Sequence, residues 1–177
     1  MRRLKRSVKA LPFDTAKTIV NSFVISRIDY CNSLFAGLPH CSINRLQGVK
    51  NAAARLLCHA GWRAHVSSLL RDRLHWLRVP QRIQYKLCLL TFKALHGMAS
   101  EYIAELCHRD AGDTARSRLR SSTHGLLQMP FTRTQFGDRA FAVAGPQAWN
   151  GLPSALRSME SLASIKSMLK THLFNFV

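Results

Sequence analysis

The first sixty residues carry apolar side chains at the three-to-four-residue spacing of amphipathic helices. This spacing predicts one helix over Phe13–Phe35, which Gly37 and Pro39 would end because both residue types are poor helix formers. A second helix is predicted over Ser42–Cys58, since serine is a favourable N-cap residue. The predicted buried face of this second helix comprises Ile43, Leu46, Val49, Ala53, Leu56 and Leu57.

The middle of the chain predicts three further helices. A short one is expected over Ser67–Trp76. The next would begin at Pro80, since proline suits the first helical turn, and would run to His96, where Gly97 offers a C-terminal cap. A brief fifth helix is expected over Ser100–Glu105.

The pattern changes beyond Arg109. Residues 110–124 contain few large apolar side chains and many Arg, Ser, Gly and Thr residues, which is typical of a mobile basic loop. Two short apolar runs follow, Leu126–Phe131 and Ala140–Ala144, each with turn residues beside it. These two runs could pair as a minor β-hairpin.

The end of the chain predicts a turn and a last helix. Gly145–Pro153 is a turn-rich stretch with an aromatic anchor, and Ser161 would cap a helix whose apolar residues are Leu162, Ile165, Met168, Leu169 and Leu173. The predicted fold class is mainly α, a small helical bundle of about five to six helices with a basic loop and, in the C-terminal third, the minor hairpin. A helical bundle over residues 1–108 would precede the loop, hairpin and last helix over residues 109–177.

Positive charge dominates the composition. The chain has 26 Lys and Arg residues against 9 Asp and Glu, a net charge of +17, so a polyanion is the expected partner, nucleic acid first and an anionic membrane surface second. The alternative is that the charge serves solubility alone. Five cysteines without close pairs indicate reduced thiols, hence the nucleus or cytoplasm and not secretion. No window is apolar enough to span a bilayer, so no transmembrane role is expected.

The sequence offers little for catalysis. Its nine carboxylates are scattered without an adjacent Asp-Asp pair, so a metal-dependent nucleotidyl-transfer centre is not expected. Three His–Cys neighbours, His40-Cys41, Cys58-His59 and Cys107-His108, lack the two-to-four-residue separation of zinc ligands. No phosphate-binding loop or nucleophile motif occurs. We therefore predict no enzyme activity in the chain as it stands, no metal, no cofactor and no small-molecule substrate.

Basic residues cluster in the middle of the chain, among aromatic ones. The basic residues are Arg63, Arg71, Arg73, Arg78, Arg82, Lys86 and Lys93, and the aromatic residues are Trp62, His75, Trp76 and Tyr85. Guanidinium and ammonium groups contact phosphates, whereas aromatic faces stack on unpaired bases. The residues predicted to contact phosphates are Arg71, Arg73, Arg78, Arg82 and Lys86. Trp76 lies between Leu74 and Leu77 and is predicted to be a core residue instead.

Several short sequence motifs resemble those of a known family. They are Ser26–Leu34 with Gly37–Pro39, Gln47–Leu56, Leu74–Leu77 with Pro80–Ile83, His96–Ala99 with Tyr102, Gly137–Phe141, Trp149–Pro153 and Lys170–Phe174. In this order, over about residues 4–174, they resemble the region that follows the palm in reverse transcriptases of LINE-type non-LTR retrotransposons, especially the Jockey-like and related clades.

The resemblance implies a thumb and post-thumb segment, with residues 1–108 as the thumb-like bundle. In that family the region grips template and primer during target-primed reverse transcription, while the endonuclease and the catalytic aspartates lie upstream. No catalytic residue can be carried over to this chain. The expectation is a non-catalytic C-terminal fragment of an RNA-directed DNA polymerase that binds RNA, DNA or their hybrid through backbone phosphates. The alternative is a co-opted or decayed helical fragment acting as a protein-interaction module.

Overall fold

A computed structural model describes residues 8, 10–108 and 125–175, and these residues are mainly helical, which confirms the predicted fold class. They form two compact units. The first unit contains residues 10–32 and 38–82, and the second contains residues 33–37, 83–108 and 125–175. The predicted basic loop, residues 110–124, lies outside the described residues.

The first unit begins with a helix that changes character along its length. Helix α1 (Phe13–Val20) continues through a π-helical segment (Asn21–Ile25) into α2 (Ser26–Asp29). The prediction of a helix continuing to Phe35 is wrong, because Tyr30 is extended and Cys31 adopts a positive φ of 50°. A 3₁₀ turn (Asn32–Phe35) follows the break.

Helix α3 (His40–Leu57) buries Ile43, Ala53 and Leu57 as predicted, but the prediction is wrong at Val49 and did not include Lys50. Its buried residues are Ile43, Lys50, Ala53, Ala54 and Leu57, whereas Val49 is 42% exposed. Positions 43, 50 and 57 are seven residues apart, so they return to nearly the same side of a helix every two turns. Val49 lies about 100° from Lys50, on the side that this spacing turns to solvent.

Helix α4 (Val66–Ser68) continues as a π-helical segment (Leu69–Arg73) and supplies the rest of the first core. The core of this unit comprises Val8, Ala16, Val20, Ile25, Ala53, Ala54, Leu57, Leu70, Leu74 and Trp76. Trp76 is only 6% exposed, which confirms its prediction as a core residue. Its backbone N–H donates to the Leu70 carbonyl at 2.7 Å and so closes the turn before the next helix.

Helix α5 (Val79–Leu95) contains the point at which the two units divide, between Arg82 and Ile83. Gly97, at a φ of +67°, caps its C-terminus as predicted, and the Met98 N–H donates to the Lys93 carbonyl at 2.8 Å. A short helix α6 (Glu101–Ala104) follows Ser100, also as predicted.

The second unit is built from α5 and the C-terminal helices α7 (Phe141–Asn150), α8 (Ser154–Arg157) and α9 (Leu162–Phe174). The predicted hairpin is wrong, because residues 140–144 enter α7 and only Leu127 in the run at 126–131 forms a bridge. The turn predicted over residues 145–153 is also helical as far as Asn150.

Close packing explains why α7 forms in spite of Gly145 and Pro146. Gly145 lies against α5, where an added Cβ would be 3.1 Å from the Thr91 hydroxyl and 3.0 Å from the Phe141 ring. Trp149, 1% exposed, places its ring centroid 6.4 Å from that of Phe92. Burial of this face outweighs the low helix propensity of glycine and the one hydrogen bond that proline removes.

This packing also explains why the C-terminal half of α5 belongs to the second unit. Residues after 125 pack on the C-terminal half of α5, where the Cys88 thiol donates to the Ala148 carbonyl at 3.5 Å. The second core has its most deeply buried side chains at Phe92, Trp149, Ile165, Leu169 and Leu173. Helix α5 is thus a shared component of the predicted bundle and of the C-terminal part.

Candidate nucleic-acid interface

The end of α3 and the loop that follows it form a basic corner of the first unit. The loop folds back on the helix: the Ala60 N–H donates to the Arg55 carbonyl at 3.0 Å, and the Arg55 guanidinium reaches the Ala64 carbonyl at 3.4 Å. His59 adopts a positive φ of 49°, which turns the chain away from the helix axis. Trp62 lies near the tip of this loop.

Trp62 differs from the other two tryptophans in its exposure. It is 78% exposed, whereas Trp76 and Trp149 are buried. The guanidinium carbon of Arg63 lies 5.0 Å from the centroid of the Trp62 ring, within the range of a cation–π interaction. A large aromatic ring and a charged group are therefore presented together at the surface.

Arg73 brings a third guanidinium to this corner. Burial raises the pKa of the Cys58 thiol at the C-terminal cap of α3, and the positive charge of Arg73 partly offsets that rise. The segment that carries Arg73, Leu69–Arg73, also contacts α3. We refer to Arg55, Trp62, Arg63 and Arg73 as the Trp62 cluster.

Two of the residues predicted to contact phosphates, Arg71 and Arg73, are exposed on the π-helical segment. Arg71 forms a loose ion pair with Asp72, 3.9 Å between nitrogen and oxygen, with both side chains more than 60% exposed. Pairs of this kind contribute little and are easily exchanged for another anion. Both arginines therefore keep guanidinium groups that a phosphate could approach.

The other predicted residues are placed differently. The Arg78 guanidinium donates to the Ser67 hydroxyl at 2.8 Å. The Arg82 guanidinium holds the Asp29 carboxylate with two hydrogen bonds, that from Nε being 2.6 Å long, and so joins α2 to the first turn of α5. Lys86 is exposed but belongs to the second unit. The five predicted residues thus do not form one set of free surface cations.

The first unit also buries a cation that the sequence did not point to. Lys50 is 0% exposed, its ammonium nitrogen donates to the Leu77 carbonyl, and that nitrogen lies 5.8 Å from the Trp76 ring centroid. Desolvation lowers the pKa of Lys50 to about 7. On the same helix, the Gln47 side-chain oxygen accepts from the Val79 N–H at 2.8 Å. These bonds hold the segment before α5, and Lys50 is not available to a ligand.

The described residues offer little for chemistry elsewhere. Within them, no three His, Cys, Asp or Glu side chains come together in a way that could hold a metal ion. An open cleft of about 310 Å³ lies in the second unit and is lined by Glu105, Leu106, His108, Gln128, Pro130 and Ala142.

All five cysteines are free thiols. None of the described helices is both long and apolar enough to cross a membrane.

Comparison of the chain with protein-family models, with curated proteins and with solved structures finds no match. The resemblance to a reverse-transcriptase family therefore depends on the short sequence motifs alone.

The sequence included Trp62 and Arg63 in its basic and aromatic cluster but did not select them as site residues. The sequence context of Trp62 does indicate an exposed residue. Trp62 follows Gly61 directly and, unlike Trp76, lies outside the helical spacing of apolar residues. Arg55 was missed because it lies inside a predicted helix, where a single arginine looks like an ordinary exposed residue.

Proposed function

We propose that the chain is a non-catalytic part of an RNA-directed DNA polymerase, the region that follows the palm, and that it binds template and primer through their phosphates. The observation that carries the proposal is the charge of the first unit. Its described cations are Lys17, Arg27, Arg45, Lys50, Arg55, Arg63, Arg71, Arg73, Arg78 and Arg82, and its described carboxylates are Asp14, Asp29 and Asp72. With so few internal acids, most of these cations need an external counter-charge.

The proposed contacts are the exposed guanidiniums of Arg63, Arg71 and Arg73. Each phosphate that they neutralise releases condensed counterions, so the affinity should fall steeply with salt. Three contacts correspond to a slope of about −2 to −3 in log affinity against log salt. The family resemblance supports an RNA–DNA hybrid as the ligand to test first.

The test is fluorescence anisotropy of the full chain with a labelled RNA–DNA hybrid across a salt series, with circular dichroism to verify folding. We expect Arg63→Gln, Arg71→Gln and Arg73→Gln together to weaken binding at least tenfold and to flatten the slope by about 2 to 3. The matched control removes equal charge from the second unit, as Arg133→Gln, Lys166→Gln and Lys170→Gln, and should change affinity much less. Equal losses in both triple variants would contradict a specific interface on the first unit.

The second candidate is a protein-interaction module, and one observation favours it. The second unit exposes the apolar side chains Met98, Tyr102, Met129, Phe131 and Phe136. Exposed apolar groups of this size are typical of protein contacts when they lie side by side. A folded chain that ignores the hybrid at low salt would favour this candidate over the first.

A further inference from the structure

The Trp62 cluster combines two kinds of group that the proposed phosphate binding does not require together. Arginines alone would suffice to hold a sugar–phosphate backbone. An exposed tryptophan adds nothing to such contacts, and single exposed apolar side chains are common on protein surfaces. What distinguishes Trp62 is its setting, with Arg63 at 5.0 Å from its ring and Arg55 and Arg73 at the same end of α3.

A nucleotide with an unpaired base would use both the indole ring and the neighbouring guanidinium. The ring of Trp62 is 78% exposed, which leaves accessible aromatic surface beyond the part that Arg63 approaches. Aromatic side chains stack on bases of any sequence, and neighbouring cations hold the adjoining phosphates. In a duplex the faces of the bases are covered by their neighbours, so this arrangement selects bases that are not paired.

We propose that Trp62 is a stacking platform for an unpaired base of single-stranded nucleic acid, with Arg63 contacting a phosphate next to that base. This inference rests on the proposed function and gives it a preference for single strands or overhanging ends. Arg55 has a supporting role, because its bond to the Ala64 carbonyl holds the loop that carries Trp62.

Tryptophan fluorescence offers a direct test on the full chain. Trp76 and Trp149 are 6% and 1% exposed, so of the three tryptophans only Trp62 can stack on a base without unfolding part of the protein. We expect a single-stranded oligothymidylate to quench the emission at low salt, and the quenching to disappear in Trp62→Ala. A blunt duplex of the same length should bind with little quenching.

Affinity measurements give the second readout. Trp62→Ala should weaken binding of the single strand by about 10- to 100-fold and binding of the blunt duplex by less than twofold, and Trp62→Phe should restore part of the loss because phenylalanine also stacks. Phe23→Ala is the matched control, since Phe23 is another exposed aromatic residue of the first unit, 66% exposed, and should leave both affinities unchanged.

The possible outcomes separate this inference from the proposed function. If the single strand binds with a steep salt slope but without quenching, and Trp62→Ala binds equally well, the stacking platform is wrong and phosphate binding stands. If neither single strand nor hybrid binds the folded chain, both proposals fail. Quenching by vesicles of phosphatidylcholine and phosphatidylserine, without quenching by the oligonucleotide, would overturn the inference in favour of an anionic membrane surface.

Discussion

The two compact units use the same residue types in opposite ways. In the first unit Trp62 is exposed beside Arg63, and a lysine, Lys50, is buried. In the second unit Trp149 is buried, with its indole N–H donating to the Gly125 carbonyl at 3.0 Å, while Lys166 and Lys170 lie on the exposed side of α9. In its tryptophan and its lysines the second unit follows the usual division between an apolar core and a charged surface, whereas the first unit departs from it at Trp62 and at Lys50.

The units also differ in how their polar groups hold the chain. The first is joined by charged groups, the Asp29–Arg82 pair and Lys50. The second has one charged group of this kind, Arg139, and also the neutral Asn150, whose amide both accepts from the Leu127 N–H at 2.9 Å and donates to the Leu127 carbonyl at 2.8 Å. Neutral bonds of this kind depend little on salt or pH, whereas the charged ones depend on both.

The largest expected effect would come from truncating the two contrasting tryptophans. Trp149→Ala should lower the free energy of unfolding by about 3 to 5 kcal/mol, because it leaves a cavity in the second core and removes the partner of the Gly125 carbonyl. Trp62→Ala should change it by less than about 0.5 kcal/mol. Urea denaturation followed by circular dichroism measures both. A similar loss of unfolding free energy in the two variants would show that Trp62 is packed in the protein as Trp149 is.

A smaller effect is expected at the bond between α2 and α5. Asp29→Ala should destabilise the protein by about 1 to 3 kcal/mol, since it leaves the half-buried Arg82 without its carboxylate. A double-mutant cycle with Arg82→Ala measures the coupling between the two side chains. Coupling near zero would mean that Arg82 is as available to phosphate as Arg71, and that the first unit does not depend on this pair.

The smallest expected change in stability concerns Lys50, and it should depend on pH. Its pKa is about 7 in the folded protein and near its ordinary value of 10.5 in the unfolded chain. Between these values the unfolded state binds more protons, so Lys50 makes the free energy of unfolding increase as the pH rises from about 7 to 10.5. Below about pH 7 the lysine is charged in both states and this contribution no longer changes.

Lys50→Met should therefore be more stable than the parent chain at pH 6, by on the order of 1 to 2 kcal/mol, after loss of the bond to the Leu77 carbonyl is included. The advantage should shrink or reverse at pH 9.5, where the neutral lysine is tolerated. Denaturation of both proteins at the two pH values measures this difference. The same advantage at both pH values would show that Lys50 keeps its ordinary pKa.

Capping residues in the sequence predicted three helix boundaries, but the prediction that Ser42 caps the second helix is wrong, because α3 begins at His40 after Pro39. Gly97, Ser100 and Ser161 each stand at the predicted end or start of a helix. The break at Cys31 could not be predicted, because neither glycine nor proline occurs there to signal a positive φ. The sequence predicts a turn and half of a hairpin where α7 forms, because glycine and proline are typical helix breakers, whereas contacts of Gly145 with α5 decide the conformation.

The candidate site was predictable as a region but not as a set of contacts. Exposure of Arg71 and Arg73 agrees with their prediction as surface cations. The partner of Arg82, Asp29, is 53 positions away in the chain, and pairings at that distance depend on tertiary structure that periodicity does not contain. Burial of Lys50 was missed for a similar reason, since a charged residue on a helix is normally placed on the solvent side.

Arg139 donates to the Ala36 carbonyl at 3.1 Å, across 103 positions of the chain, and its side chain lies over Gly37, where an added Cβ would be 2.7 Å from its Cγ. During synthesis, Ala36 leaves the ribosome long before Arg139 is made. At ordinary translation rates the delay is about 5 to 20 s. Residues 10–32 and 38–82 can meanwhile fold around residues 33–37, which must wait as an open loop for the second unit. During synthesis, residues 33–37 therefore acquire their contacts with Arg139 only after most of the chain has been translated.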